Sequence, residues 1–107
     1  MVSYKQIKFK GIDINNLNAD YFIVLNNSDY IFNVSWNQYC NTAFLNILDG
    51  NNNPIIRGRA LTNGLFIRNS KLPYNLSFVN LNDETYEPTL ENLSKEFALV
   101  YLDYGEE

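Results

Sequence analysis

The chain has 107 residues, the length of one domain, and its 46% hydrophobic against 19% charged content marks a globular protein built as a single unit over 1–107. Histidine is absent and cysteine occurs once, as Cys40, which excludes Ser-His-Asp and Cys-His catalysis, histidine-bearing zinc sites and any internal disulfide. The net charge of −4 argues against nucleic acid as the main partner, and no apolar run approaches the roughly 18 residues that span a bilayer.

Two-residue alternation dominates the chain. Residues 4–10 set Lys5, Ile7 and Phe9 against Gln6, Lys8 and Lys10, the pattern of a lysine-guarded edge strand. Residues 20–25 are apolar nearly throughout, as in a strand covered on both faces. Asn26-Asn27-Ser28-Asp29 then reads as a four-residue hairpin loop. The strand after it, 30–36, turns Tyr30, Phe32, Val34 and Trp36 one way and Ile31, Asn33 and Ser35 the other.

A fourth strand over 43–48 stops at Asp49-Gly50-Asn51-Asn52-Asn53-Pro54, a strong hairpin signal. The fifth, Ile55 to Leu61, places Arg57 and Arg59 opposite Ile56, Gly58 and Ala60, whose small size predicts close approach by another backbone or a ring. Asn63-Gly64 turns the chain into a short strand over 65–68, and Leu72-Pro73 precedes another over 74–81. Thr89 is placed to cap a helical turn or two within 89–96, with Leu90 and Leu93 on one face. Residues 97–104, apolar on both faces, predict a central strand. The fold class is therefore all-β, an antiparallel sandwich or small barrel of seven or eight short strands with at most one short helix.

Chemical constellations are few. Asp49-x-Asn51-x-Asn53 starts like a calcium loop, but Pro54 and Ala60 stand where the turn glycine and the bidentate glutamate belong, which leaves a hairpin turn. Asp83, Glu84, Glu87 and Glu91 are read as a solvated acidic loop rather than a glycosidase pair. Cys40 is read as a structural thiol and Trp36 as core. No catalytic, metal-binding or cofactor-binding residue is assigned, and the chain is expected not to be an enzyme. Charge is uneven: residues 50–82 carry Arg57, Arg59, Arg68 and Lys71 with no acid, whereas 83–107 carry eight acids against Lys95. The two stretches either pair within the monomer or mate subunit to subunit.

The order of motifs then carries a resemblance. Phe32-x-Val34-x-Trp36-Asn37, Phe44-Leu45-x-Ile47-x-Asp49, Asn53-Pro54-Ile55-Ile56-x-Gly58 and Leu61-Thr62-Asn63-Gly64 follow one another, and Leu72-Pro73, Glu87-Pro88-Thr89 and Leu99-Val100-Tyr101 follow those. This series, over about residues 1–104, resembles the phage baseplate plug family. The resemblance implies a β-rich structural component of a contractile tail, in a phage or a tail-derived bacteriocin, assembled in the host cytoplasm. It implies hub, tube or spike proteins as partners in a symmetric multi-copy assembly and brings no catalytic residues; with the composition and charge, the expectation is no cofactor, no membrane and no specific nucleic acid. Arginine is enriched at interfaces, so Arg57, Arg59 and Arg68 are the candidate subunit contacts. Two rival functions are a carbohydrate-binding module using Trp36 and Tyr39, and an oligonucleotide-binding barrel using Lys5, Lys8 and Lys10.

Overall fold

Alternating apolar residues separated by turn clusters fold into eight strands. In a computed structural model describing residues 3–103, these are β1 (Ser3–Ile7), β2 (Asn18–Leu25), β3 (Ser28–Asn37), β4 (Thr42–Asp49), β5 (Pro54–Ala60), β6 (Leu65–Ile67), β7 (Leu76–Asn80) and β8 (Phe97–Asp103), with one helical turn, α1 (Leu93–Glu96), before β8. Met1, Val2 and the end of the acidic tail from Tyr104, the last residue of the expected final strand, lie outside the described residues.

Two antiparallel four-stranded sheets result, ordered β1-β8-β7-β6 and β2-β3-β4-β5. The architecture is a sandwich and not a closed barrel. β8 is central, as its apolar faces predict, and β1 is an edge. Between the sheets lie Phe32, Val34, Leu45 and Ile47 from one side and Ile7, Leu76, Phe78, Phe97 and Leu99 from the other, all buried. Phe9, Phe78 and Phe97 form the aromatic spine of this core, with ring centroids 6.4 Å apart for the first pair and 5.3 Å for the second. Rings of this size each bury about 150–250 Å². The four residues Tyr30, Phe32, Val34 and Trp36 all face inward, as the alternation of β3 requires.

Several local expectations are corrected. The loop between β2 and β3 is two residues, Asn26 and Asn27, both at positive φ (49° and 64°), with Leu25 paired to Ser28. That is the tight hairpin whose twist matches its strands, and asparagine tolerates it better than most side chains. β2 is not covered on both faces: it is a sheet edge, and Phe22 is 79% exposed, with Val24 also exposed. The alternation of 4–10 outlasts its strand; β1 ends at Ile7, while Phe9 and Ile12 stay buried in the segment that crosses between the sheets.

In β5 the pairing with β4 shifts register on either side of Ile47, so Arg57, Gly58 and Arg59 are all exposed and no clean two-faced pattern survives. Gly58 is there for its backbone, at φ 60°; a Cβ added to it would meet nothing within 4 Å, so no neighbour crowds its side-chain position. Before α1, Thr89 does not cap the helix itself. Thr89 N donates to Asn92 Oδ1 at 2.6 Å and Asn92 N donates to Thr89 Oγ1 at 3.2 Å, closing the preceding turn and leaving Asn92 at the helix N-cap. Leu93 is buried and Leu90 packs against the core, as their shared face requires.

Candidate functional site

Turn chemistry first removes several residues from consideration. Asp49 Oδ1 accepts the backbone N–H groups of Asn51 (2.9 Å) and Asn53 (3.0 Å), and Asn53 Nδ2 donates to Oδ2 at 3.3 Å. These bonds, the one from the Asn53 backbone first, hold the carboxyl below its usual pKa. The Asp49 motif is a hairpin turn. The acidic loop is likewise tied down: Glu87 Oε1 accepts Asn63 N at 2.8 Å, and Asn63 Nδ2 donates to the carbonyls of Glu84 (2.8 Å) and Tyr86 (3.0 Å). The Tyr86 hydroxyl donates to Glu96 Oε1, and that bond leads the effects raising its pKa. Cys40 is exposed on the turn after β3 and not buried as a structural thiol.

The outer face of the β2-β3-β4-β5 sheet has a polar rung in an apolar surround. Asn33 Nδ2 donates to Asn18 Oδ1 (2.7 Å) and Asp20 Oδ1 (2.8 Å), Asn46 Nδ2 donates to Asn33 Oδ1 (3.0 Å), and Gly58 N donates to Asn46 Oδ1 (2.8 Å). The chain of bonds crosses all four strands and fixes their register from the solvent side. Beside it lie Phe22, Val24, Ile31, Leu48 and Pro54, and a shallow groove of about 440 Å³ runs from Asp20 to Arg57. Tyr4, Phe66 and Leu102 are exposed on the other sheet, along an open groove of about 580 Å³. A third cleft, of about 1180 Å³, opens beside Trp36 and is lined by Ile14, Gln38, Pro88, Glu91 and Lys95.

The three candidate arginines fall on one side. Arg57 and Arg59 lie on β5, the edge of one sheet, and Arg68 follows β6, the edge of the other. A short link joins these strands, and Asn69 Nδ2 reaches the Ile55 carbonyl at 3.5 Å, so the two edges border the same flank. All three are exposed, and among the described residues none of their side chains forms an ion pair.

The rival sites fare differently. Trp36 is only 7% exposed and belongs to the core, so it forms no platform with Tyr39, which stands fully exposed on the turn after β3. Lys5, Lys8 and Lys10 are exposed, but only Lys5 lies on a strand. Sequence reasoning missed Phe22 and Val24 as surface residues. The signal was present in β3, where Asn33 and Ser35 mark a wet outer face that β2, in the same sheet, must share.

No curated protein matches the chain. Residues 9–105 match the family described as cyanophage baseplate Pam3 plug gp18, a span that takes in every strand but β1. The chain belongs to that family of baseplate plug proteins.

Proposed function

We propose that this chain is a non-enzymatic structural component of the tail baseplate of a phage or phage-tail-like particle, a plug held in the hub of a contractile tail by protein–protein contacts. The family match over residues 9–105 carries the reading. Exposed apolar side chains on the outer faces of both sheets, and a flank bearing Arg57, Arg59 and Arg68 outside any ion pair among the described residues, are the features a contact protein needs. Its partners are the hub, tube or spike proteins, in a symmetric multi-copy assembly put together in the host cytoplasm.

Purified tails provide the test. Quantitative mass spectrometry should find the chain at fixed stoichiometry with the hub proteins, and pairwise co-expression should recover it with at least one hub, tube or spike protein. Tails of full composition that lack the chain, with no association in any pair, would overturn the reading.

A further inference from the structure

The four sheet edges differ in how open they are to another strand. β1 carries Lys5 and is followed by Lys8 and Lys10; β6 has three residues; β5 begins at Pro54, which has no N–H, and is broken by the register shifts and by Gly58 at positive φ. Lysines, brevity, proline and bulges are the devices that stop strands adding to an edge. β2 has none of them. It runs for eight residues in unbroken register with β3 and contains neither Lys, Arg, Pro nor Gly.

The phase of its hydrogen bonds follows from the hairpin. Leu25 and Ser28 close a two-residue turn and so form a bonded pair, which makes Ile23, Tyr21 and Ala19 the residues bonded to β3. Trp36 N donating to Leu17 O at 2.7 Å continues the same phase. The N–H and C=O groups of Asp20, Phe22 and Val24 therefore point away from the sheet, and no backbone bond outside the ladders engages them among the described residues. Their side chains share the outer face with Asp29, Ile31 and Asn33.

We infer that the β2 edge is a strand-addition site, and that its occupant is an extended segment of another baseplate protein carrying two apolar residues two apart and a basic residue two further on. This deepens the contact function proposed above and rests on it. The unpaired backbone groups specify a strand, because only a strand meets donors and acceptors at that spacing. Exposed Val24 and Phe22 specify apolar neighbours directly opposite. Charge specifies the basic residue: the outer face of the β2–β3 hairpin bears Asp20 and Asp29, and no lysine or arginine occurs between Lys10 and Arg57. Lys10 lies near this edge too, but in the segment on the inner side, where the Tyr21 hydroxyl donates to Lys10 O at 2.7 Å. A second copy fits less well. In the register that sets Phe22 against its counterpart, Asp20 of one copy and Asp29 of the other share a row with no base between them.

The test uses the full chain and, as probe, the capped peptide Thr-Ile-Thr-Val-Thr-Arg-Thr. At about ten times its Kd the peptide should slow hydrogen exchange at the amides of Asp20, Phe22 and Val24 about tenfold, leaving β5 amides unchanged. N-methylation of the peptide's Ile, Val and Arg nitrogens should abolish this, and Glu in place of its Arg should weaken it. Phe22→Lys, at an exposed site, should keep the thermal transition of the wild type, lose peptide binding and be depleted at least several-fold from purified tails. No protection of the three amides at millimolar peptide, or Phe22→Lys entering tails at the wild-type level, overturns the inference while leaving the baseplate function standing. Dimerisation of the free chain that Phe22→Lys abolishes would make a second copy the occupant and overturn it as well. Absence of the wild-type chain from tails would instead remove the baseplate reading.

Discussion

The side-chain oxygen of Asn46 accepts the backbone N–H of Gly58 at 2.8 Å, so a residue of β4 supplies the acceptor where β5 departs from regular pairing. The positive φ of Gly58 turns that N–H toward the outer face, and the Asn46 amide carries the connection on to Asn33. Replacing Gly58 by Ala forces a Cβ into a left-handed conformation without any clash, because nothing lies within 4 Å of the added atom. The cost is conformational only, about 1 kcal/mol. Asn46→Ala, which strips the bond from a partly solvated site, should cost about 1 kcal/mol as well. Alanine keeps the backbone N–H, so the two changes act on different terms, strain at residue 58 and the bond from residue 46, and the double variant should lose about the sum of the two. Urea unfolding at constant m checks all three.

Asn80 is the one buried polar residue among those described, at the end of β7 in line with Leu76 and Phe78. Its Oδ1 accepts Asn82 N at 2.7 Å and Glu84 N at 3.3 Å, which shapes the turn where Asp83 adopts a φ of 59°. Asn80→Ala leaves both N–H groups without that acceptor and should destabilise by about 1–3 kcal/mol. Asn80→Asp, which keeps the acceptor but places a carboxylate among buried residues, should lose stability on raising pH through its own titration. Thermal melts at pH 4 and pH 7 distinguish the two effects.

The fold was legible where a strand has one wet and one dry face. β3 and β4 alternate cleanly, and central β8 is apolar and buried from Phe97 to Val100. β2 misled because a continuous apolar run fits burial on both faces and an apolar outer face left exposed equally well, and periodicity does not separate them. β5 misled because a register shift moves side chains between faces, and nothing in Ile55-Ile56-Arg57-Gly58-Arg59 marks where the shift falls. The arginines were legible as a charge block, but their gathering on one flank depends on β5 and β6 being edges of different sheets, a fact of topology.

Asp49 gives the β4–β5 loop a dependence on pH. Its folded pKa lies below that of an ordinary aspartate, so its contribution to stability is complete above the ordinary value and is lost as pH falls through the lower, folded pKa. The carboxylate bonds to Asn51 N and Asn53 N weaken on protonation. Amide shifts of Asn51 and Asn53 should therefore titrate together below the usual aspartate range, and Asp49→Asn should abolish that titration. Titration at or above the usual aspartate range would show that the loop bonds do not hold in solution.

Charge reversal separates the two roles open to the arginine flank. If Arg57, Arg59 and Arg68 neutralised the acidic end of the same chain, reversing all three would lower the thermal transition, at up to about 1 kcal/mol for each pair lost. Among the described residues none of them forms an ion pair, and all three are exposed. Each of Arg57→Glu, Arg59→Glu and Arg68→Glu should then shift stability by no more than about 0.5 kcal/mol. A contact role makes the opposite demand on assembly, because a reversed charge at an interface repels the partner it was matched to. The triple variant should fold with an unchanged transition yet co-purify poorly with hub or tube proteins. Wild-type recovery of the complex should also fall as salt is raised, since exposed charge pairs are screened over about 10 Å at 0.1 M. Full retention of the triple variant in tails would move the contact to another face of the sandwich, whereas a lowered thermal transition would show that the arginines act within the chain.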